Sequence, residues 1–155
     1  MKTLLRMNRV DLAEQALKNM TEMNDDATIT QLTGALVSLA KGGHERVEEA
    51  EIIYQQLQKK FGNSLTVLNG LALCMMQGGA FENAERTLLN ALGLAPNDPD
   101  TLINMVVCAE HLKKGEVVAK YLTQLRQSVG VHHEWVKTYN QLEEEFDQLV
   151  QTYQP

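Results

Sequence analysis

Histidine and cysteine side chains are the residues of this chain best suited to metal or nucleophilic chemistry. The run "HHE" at 132–134 places three metal-ligating residue types in succession. Neighbouring side chains on a helix point about 100° apart, so these three do not converge on one ion. We therefore interpret the run as a solvated helix start. The other histidines, His44 and His111, stand alone in the sequence.

The two cysteines, Cys74 and Cys108, are 34 residues apart, and the chain has no CxxC pair. This spacing predicts equivalent places on successive helices about 8–10 Å apart, which is too far for an easy disulfide. We expect both to be small buried core residues. The stretch "GNSLTVLNG" lacks the GK[ST] ending of a phosphate loop, and no Ser–His–Asp set is visible. We expect no enzymatic activity, no cofactor, no metal and no small-molecule substrate.

Composition and charge indicate which classes of partner this chain is not expected to bind. The net charge of the 155 residues is −6, with an isoelectric point near 5.2. A nucleic-acid backbone or an anionic membrane surface requires clustered Lys and Arg, so neither is expected as a partner. No apolar run approaches the roughly 20 residues that span a bilayer, and no signal peptide is visible. These features favour a cytosolic or nuclear protein.

An internal repeat positions all of these residues. The stretches "VDLAEQALKNM", "VEEAEIIYQQL", "FENAERTLLNAL" and "GEVVAKYLTQL" share one pattern, with Ala13, Ala50, Ala84 and Val118 at its fourth position, in steps of 37, 34 and 34 residues. A period of 34 residues built from helix pairs is typical of tetratricopeptide repeats. We predict a single all-α, tetratricopeptide-like superhelix over residues 1–155. The longer first step predicts three extra residues in the loop between Lys41 and Arg46.

The periodicity places helices near 2–7, 9–23, 27–41, 45–60, 64–77, 80–94, 99–112, 115–128 and 132–153, with no strands. The last helix carries one apolar stripe, which comprises Trp135, Tyr139, Leu142, Phe146, Leu149 and Tyr153. The run Glu143–Glu145 is predicted to lie on its solvent-exposed side. We interpret 132–153 as a long C-terminal capping helix. The first helix has no comparable cap, so we expect further repeats upstream, in a longer chain.

Two of the predicted helices are apolar almost all round: "LTVLNGLALCMM" from Leu65 and "TLINMVVCAEHL" from Thr101. They are the inner helices of two units and would line the concave face. One stripe of each packs on its own outer helix, and the opposite stripe would form an exposed apolar patch, typical of an interaction surface. Neighbouring inner helices could instead cover most of it. The residues predicted to bind a protein partner are Asn69, Leu73, Met76, Ile103, Asn104, Val107 and His111.

Several stretches resemble the coatomer epsilon family over nearly the whole chain: "DDATITQL", "LVSLAKGG", "VLNGLALCMMQGG", "DTLINMVVCAEHL", "YLTQL" and the ending "FDQLVQTYQP". The resemblance implies a non-catalytic COPI coat subunit that binds and stabilises the C-terminal domain of the coatomer alpha subunit. It also implies a cytoplasmic protein, peripheral on Golgi and COPI vesicle membranes through the coat, in Golgi-to-ER and intra-Golgi transport. "HHEW" at 132–135 departs from the family pattern.

A generic tetratricopeptide adaptor or cochaperone is the alternative function. Such proteins grip a free C-terminal carboxylate with Lys, Arg and Asn on their inner helices. The corresponding positions here include Thr66, Gly70 and Asp100 and supply no cationic clamp. A helical enzyme, the third alternative, would need a convergent polar pocket that the sequence does not indicate.

Overall fold

The computed structural model describes residues 2–130 and 132–153. Within them it contains nine α-helices and no β-strand, and every helix end lies within two residues of the sequence prediction. The helices are α1 Lys2–Arg6, α2 Val10–Asn24, α3 Thr28–Lys41, α4 His44–Phe61, α5 Leu65–Gln77, α6 Phe81–Leu94, α7 Pro99–His111, α8 Gly115–Val129 and α9 Glu134–Thr152.

Helix contacts show a repeating arrangement of inner and outer helices. From α1 to α8, each helix packs against the next one along the chain. In addition, α3 contacts α5 and α5 contacts α7, so these three helices form a continuous row. The even-numbered helices carry the sequence pattern identified above, and α4 and α6 each pack against two helices of that row. This is an all-α helical-repeat superhelix, as the sequence predicted.

Small side chains explain how closely the outer helices pack. Ala13, Ala50 and Ala84, at the fourth position of the repeated pattern, have no exposed surface, and Val118 is nearly buried. A larger side chain at these places would hold the paired helices apart, because protein interiors are close-packed. The repeated alanines are therefore packing residues.

The three extra residues of the first repeat step do not enlarge a loop. Only Gly42 and Gly43 separate α3 from α4. Helix α4 starts at His44, six residues before Ala50, whereas α6 starts at Phe81, three residues before Ala84. The expectation of a longer Lys41–Arg46 loop is wrong, because the insertion adds about one turn to the start of α4.

Two hydrophobic clusters stabilise the described residues. The N-terminal cluster joins α3, α4 and α5 and consists of Ala35, Leu39, Val47, Ala50, Tyr54, Leu57, Val67, Leu71 and Cys74. The C-terminal cluster joins α5 to α9 and consists of Ala72, Ala84, Leu88, Leu92, Leu102, Met105, Val106, Cys108, Ala109, Val118, Tyr121, Leu122, Leu125 and Val136. Helix α5 contributes residues to both clusters, which explains why its sequence has almost no polar, solvent-facing side.

Helix α9 differs in part from a helix that caps the body along its whole length. Its first turns do pack, since Val136 is fully buried and Trp135 and Tyr139 lie against the C-terminal cluster. From Gln141 to Tyr153, however, every residue is exposed. The earlier turns already cover the end of the C-terminal cluster, so the rest of the apolar stripe extends beyond the packed body.

Candidate protein-binding surfaces

The concave face holds a cavity of about 490 Å³, which we call the inner groove. Its walls come from the inner helices α1, α3, α5 and α7, from Tyr54 of α4, and from Asp98 before α7. Four of the seven residues predicted to bind a partner line it, namely Asn69, Leu73, Ile103 and Asn104. The other lining residues are Leu5, Arg6, Leu36, Tyr54, Leu65, Thr66, Gly70, Asp98 and Asp100.

A chain of hydrogen bonds links the polar residues of the groove across α5 and α7. The Asn69 Nδ2 group donates to the Leu65 carbonyl oxygen (3.0 Å) and to Thr101 Oγ1 (2.8 Å). Asn104 Nδ2 donates to Asn69 Oδ1 at 2.9 Å. The two carboxamides are therefore held in fixed orientations at the groove wall, which reduces the entropy lost when a ligand binds them.

Asp98 positions the end of this hydrogen-bond chain that lies on α7. Its Oδ2 accepts from the Thr101 backbone N–H at 2.9 Å, an N-cap that satisfies one free donor of α7. The same oxygen accepts from Thr101 Oγ1 at 2.6 Å. Thr101 has no exposed surface, so the donor side of both bonds is shielded from bulk water, while Asp98 is partly exposed. The start of α7 is thereby locked against the wall of the groove.

Gly70 allows α5 to approach α4 closely. A Cβ atom built at Gly70 would overlap the aromatic ring of Tyr54. Tyr54 is 1% exposed and belongs to the N-terminal cluster, so moving its ring would disturb packed neighbours. Burial raises the pKa of Tyr54 to about 12, so its hydroxyl is neutral at physiological pH. Gly70 and the Tyr54 ring thus form an uncharged surface at the bottom of the groove, which we call the groove floor.

The other three predicted residues, Met76, Val107 and His111, do not line this cavity. Met76 packs partly against the C-terminal cluster, and Val107 is 38% exposed. The His111 ring stacks on Phe81 with 4.3 Å between the ring centroids. The structure therefore separates the predicted set into four residues in the groove and three nearer the C-terminal ends of α5 and α7.

Sequence reasoning missed the groove residues outside α5 and α7. Leu5 and Arg6 belong to α1, whose sequence predicts only an incomplete helix. Leu36 lies on α3, one inner helix earlier than those considered. The repeat period was the available signal, because α1 and α3 precede outer helices just as α5 and α7 do.

Both cysteines are buried, as predicted, and lie in different hydrophobic clusters. Burial raises the pKa of the Cys74 thiol to about 12, and the Glu51 carboxylate adds to the shift. Burial also raises the pKa of Cys108, whose Sγ donates to the Phe81 carbonyl oxygen at 3.2 Å. Neutral, buried thiols are poor nucleophiles, so these residues act in packing.

The "HHE" run lies at the start of α9. His132 and Glu134 are exposed, His133 is half-buried, and the helix begins at Glu134. Over residues 2–130 and 132–153, no three His, Cys, Asp or Glu side chains come together in a way that could hold a metal ion. In the same part of the chain, no helix has the length and apolarity needed to cross a bilayer.

Comparison with known proteins places this architecture in a family. The family model of the coatomer epsilon subunit matches residues 1–154. Coatomer subunit epsilon-1 of Arabidopsis thaliana is 39% identical over 149 residues, which cover 96% of this chain and 50% of the relative. Coatomer subunit epsilon-2 of Oryza sativa subsp. indica is 40% identical over 147 residues, covering 95% and 48%.

A less similar relative belongs to the same family. Coatomer subunit epsilon of Dictyostelium discoideum is 30% identical over 145 residues, which cover 92% of this chain and 48% of the relative. The chain thus spans about half the length of the curated relatives that it matches. Since the family model covers almost every residue, including the helices that line the inner groove, the chain belongs to the coatomer epsilon subunit family.

Proposed function

We propose that this chain is a non-catalytic scaffold of the COPI vesicle coat and that its inner groove binds the C-terminal domain of the coatomer alpha subunit. The main support is the concave cavity of about 490 Å³ on the row of inner helices, in a chain of the coatomer epsilon family. Superhelical repeats use such concave surfaces to hold other proteins. The groove combines apolar walls with a few oriented polar groups, the usual composition of a binding site.

In this proposal the seven predicted residues have three roles. Asn69 and Asn104 offer oriented carboxamides to polar groups of the alpha subunit, while Leu73 and Ile103 supply apolar contact. Met76, Val107 and His111 extend the contact beyond the cavity. Binding stabilises the alpha subunit, because a ligand that binds only the folded state shifts the folding equilibrium.

The same proposal sets the location of the protein. The chain is cytoplasmic and reaches Golgi and COPI vesicle membranes as a peripheral component, through the coat. It serves transport from the Golgi to the endoplasmic reticulum and within the Golgi. Its net charge of −6 agrees with recruitment through other proteins rather than through anionic lipid.

The charges of the groove favour the coat scaffold over a reader of acidic C-terminal peptides. Arg6 lines the cavity, but Asp98 and Asp100 line it as well. A carboxylate ligand would be desolvated beside two acidic residues and only one cation, which is unfavourable. A partner surface with apolar and neutral polar groups fits the groove better.

Isothermal titration calorimetry with the purified alpha-subunit domain tests this function. Leu73→Glu with Ile103→Glu places two charges in the groove and should weaken binding at least tenfold. The matched control is Leu89→Glu with Leu94→Glu, two exposed leucines of outer helix α6, and should change the affinity less than twofold. Circular dichroism establishes that each variant is folded.

A third variant, Val107→Glu, tests the residues outside the cavity. Val107 is already 38% exposed, so this substitution leaves the core intact. Weaker binding would extend the interface along α7, and unchanged binding would restrict it to the cavity. If the native chain does not bind the alpha-subunit domain, the proposed partner is wrong. Equal loss in the groove and control variants would contradict the proposed groove.

A further inference from the structure

The distal half of α9 and the residue that follows it, residues 141–153, carry an apolar surface that no other part of the described chain covers. Leu142, Phe146, Leu149 and Tyr153 are 60%, 65%, 65% and 74% exposed, and Val150 beside them is 57% exposed. These residues recur at helical spacing and form one stripe along about three turns. We call this surface the distal stripe. Exposed apolar patches that are continuous, rather than scattered, mark interaction sites.

The distal stripe continues a surface that is already packed. Trp135 and Tyr139 precede Leu142 on the same side of α9, lie against the C-terminal cluster and stack on each other with 5.2 Å between ring centroids. Inner helices α5 and α7 have 13 residues each, whereas α9 has 19. The six additional residues carry the stripe about 9 Å farther, at 1.5 Å per residue.

The charged side chains that residues 138–153 themselves carry are all acidic. Residues 138–153 contain four acidic side chains, Glu143, Glu144, Glu145 and Asp147, and no Lys or Arg. At 100° per residue, Glu143 falls on one border of the stripe and Glu145 on the other. Among the described residues, Glu143 is the only one of these four acidic side chains in an ion pair, with Arg126 of α8 at 3.4 Å. The stripe therefore has an apolar centre between acidic borders.

These borders determine what can cover the stripe. A membrane surface is disfavoured, because amphipathic helices that lie on anionic lipid carry Lys and Arg on the polar face. A second copy of α9 would place acidic borders next to acidic borders, and like charges across an interface cost binding energy. A helix with an apolar stripe between Lys and Arg residues would gain both apolar burial and charge complementarity.

We infer that the distal stripe of α9 is a docking site for an amphipathic helix of a partner protein, one whose apolar stripe is bordered by Lys and Arg. The stripe lies outside the inner groove, so this contact is independent of the proposed binding of the alpha-subunit domain. Helix pairing of this kind needs no change in the body of the protein, because the stripe is already presented on a folded helix.

Fluorescence anisotropy with two synthetic helical peptides tests the inference. Both peptides carry the same leucine stripe, but one has Lys and the other Glu at the border positions. We expect the Lys peptide to bind the intact chain at least tenfold more tightly than the Glu peptide. Raising the salt concentration should weaken binding of the Lys peptide, since the added ions screen the attraction between exposed Lys and Glu charges.

Paired variants separate apolar docking from general attraction to acidic residues. Phe146→Glu with Leu149→Glu places two charges in the stripe and should weaken binding of the Lys peptide at least tenfold. The control, Gln148→Glu with Gln151→Glu, adds the same charge to the opposite face and should not weaken it. All four residues are exposed, so both variants should fold, which circular dichroism checks.

Several results would overturn the inference. One is equal affinity for the Lys and Glu peptides. Another is binding of the Lys peptide by the Phe146→Glu, Leu149→Glu variant as tightly as by the control, which would mean that charge alone attracts it. Light scattering that shows a dimer lost in the stripe variant would assign the stripe to a second copy. Stripe-dependent sedimentation with phosphatidylserine vesicles would assign it to a membrane.

Discussion

Gly70 is the single residue on which the close packing of the groove floor most depends. It lies inside α5, where Gly is usually less favourable than Ala by about 1 kcal/mol. On propensity alone, Gly70→Ala would stabilise the helix. The structure indicates the opposite, because the new methyl group would overlap the buried Tyr54 ring.

We predict that Gly70→Ala lowers the free energy of unfolding by about 2 kcal/mol, within the range for overpacked cores. Urea unfolding followed by circular dichroism measures this change. Gly93→Ala is the matched control, since a Cβ atom at Gly93, near the end of α6, would meet nothing within 4 Å. A stabilising effect of Gly70→Ala would show that Tyr54 can move and that the contact is not tight.

At the scale of elements, α9 combines two kinds of helix in one run of 19 residues. Its start is a packed part of the superhelix, and its end is an exposed amphipathic segment. The change occurs near Asn140, whose Oδ1 accepts from Arg126 Nη2 at 2.5 Å. Apolar residues before this point stabilise the fold, while those after it are available to a partner.

Val136→Ala should therefore lower the free energy of unfolding by about 2 kcal/mol, because it removes two methyl groups from a site with no exposed surface. Leu149→Ala should change it by less than about 0.5 kcal/mol, as is usual at exposed positions. Chemical denaturation of both variants makes the comparison. Equal destabilisation would mean that the distal half of α9 packs on the body in solution.

At the scale of the whole molecule, α5 is the helix that contributes residues to both clusters in the described part of the chain. In helical repeats each unit contacts its neighbours, so stability is approximately a sum of local terms. The regions around the two clusters can then open separately, with different free energies.

Amide hydrogen exchange should reveal this independence. Leu57→Ala, in the N-terminal cluster, should speed exchange mainly in α3 and α4. Leu125→Ala, in the C-terminal cluster, should speed it mainly in α7 and α8. Each substitution creates a buried cavity that costs about 2–5 kcal/mol. If either variant changed exchange equally along the whole chain, the molecule would open as one cooperative unit.

Particular residues show what the sequence predicts and what it does not. Cys74 and Cys108 are buried as expected, and the alanines of the repeat are buried too, because these residues recur at a period that places them at equivalent packed positions. Four of the seven predicted binding residues line the inner groove, and their role in binding a partner remains a prediction. Arg6 was not predicted there, because nothing local to α1 reveals which helices it faces.

The sequence by itself determined the helices, their order and their repeat, because helix formation depends on contacts within a few residues and on turn residues at fixed offsets. Only the tertiary structure decided which faces meet. It placed Asn69 against Thr101 and Asn104, set Tyr54 against Gly70, and left the end of α9 uncovered. The first two features join residues far apart in the chain. The third depends on where the packed body ends. No local sequence pattern encodes either property.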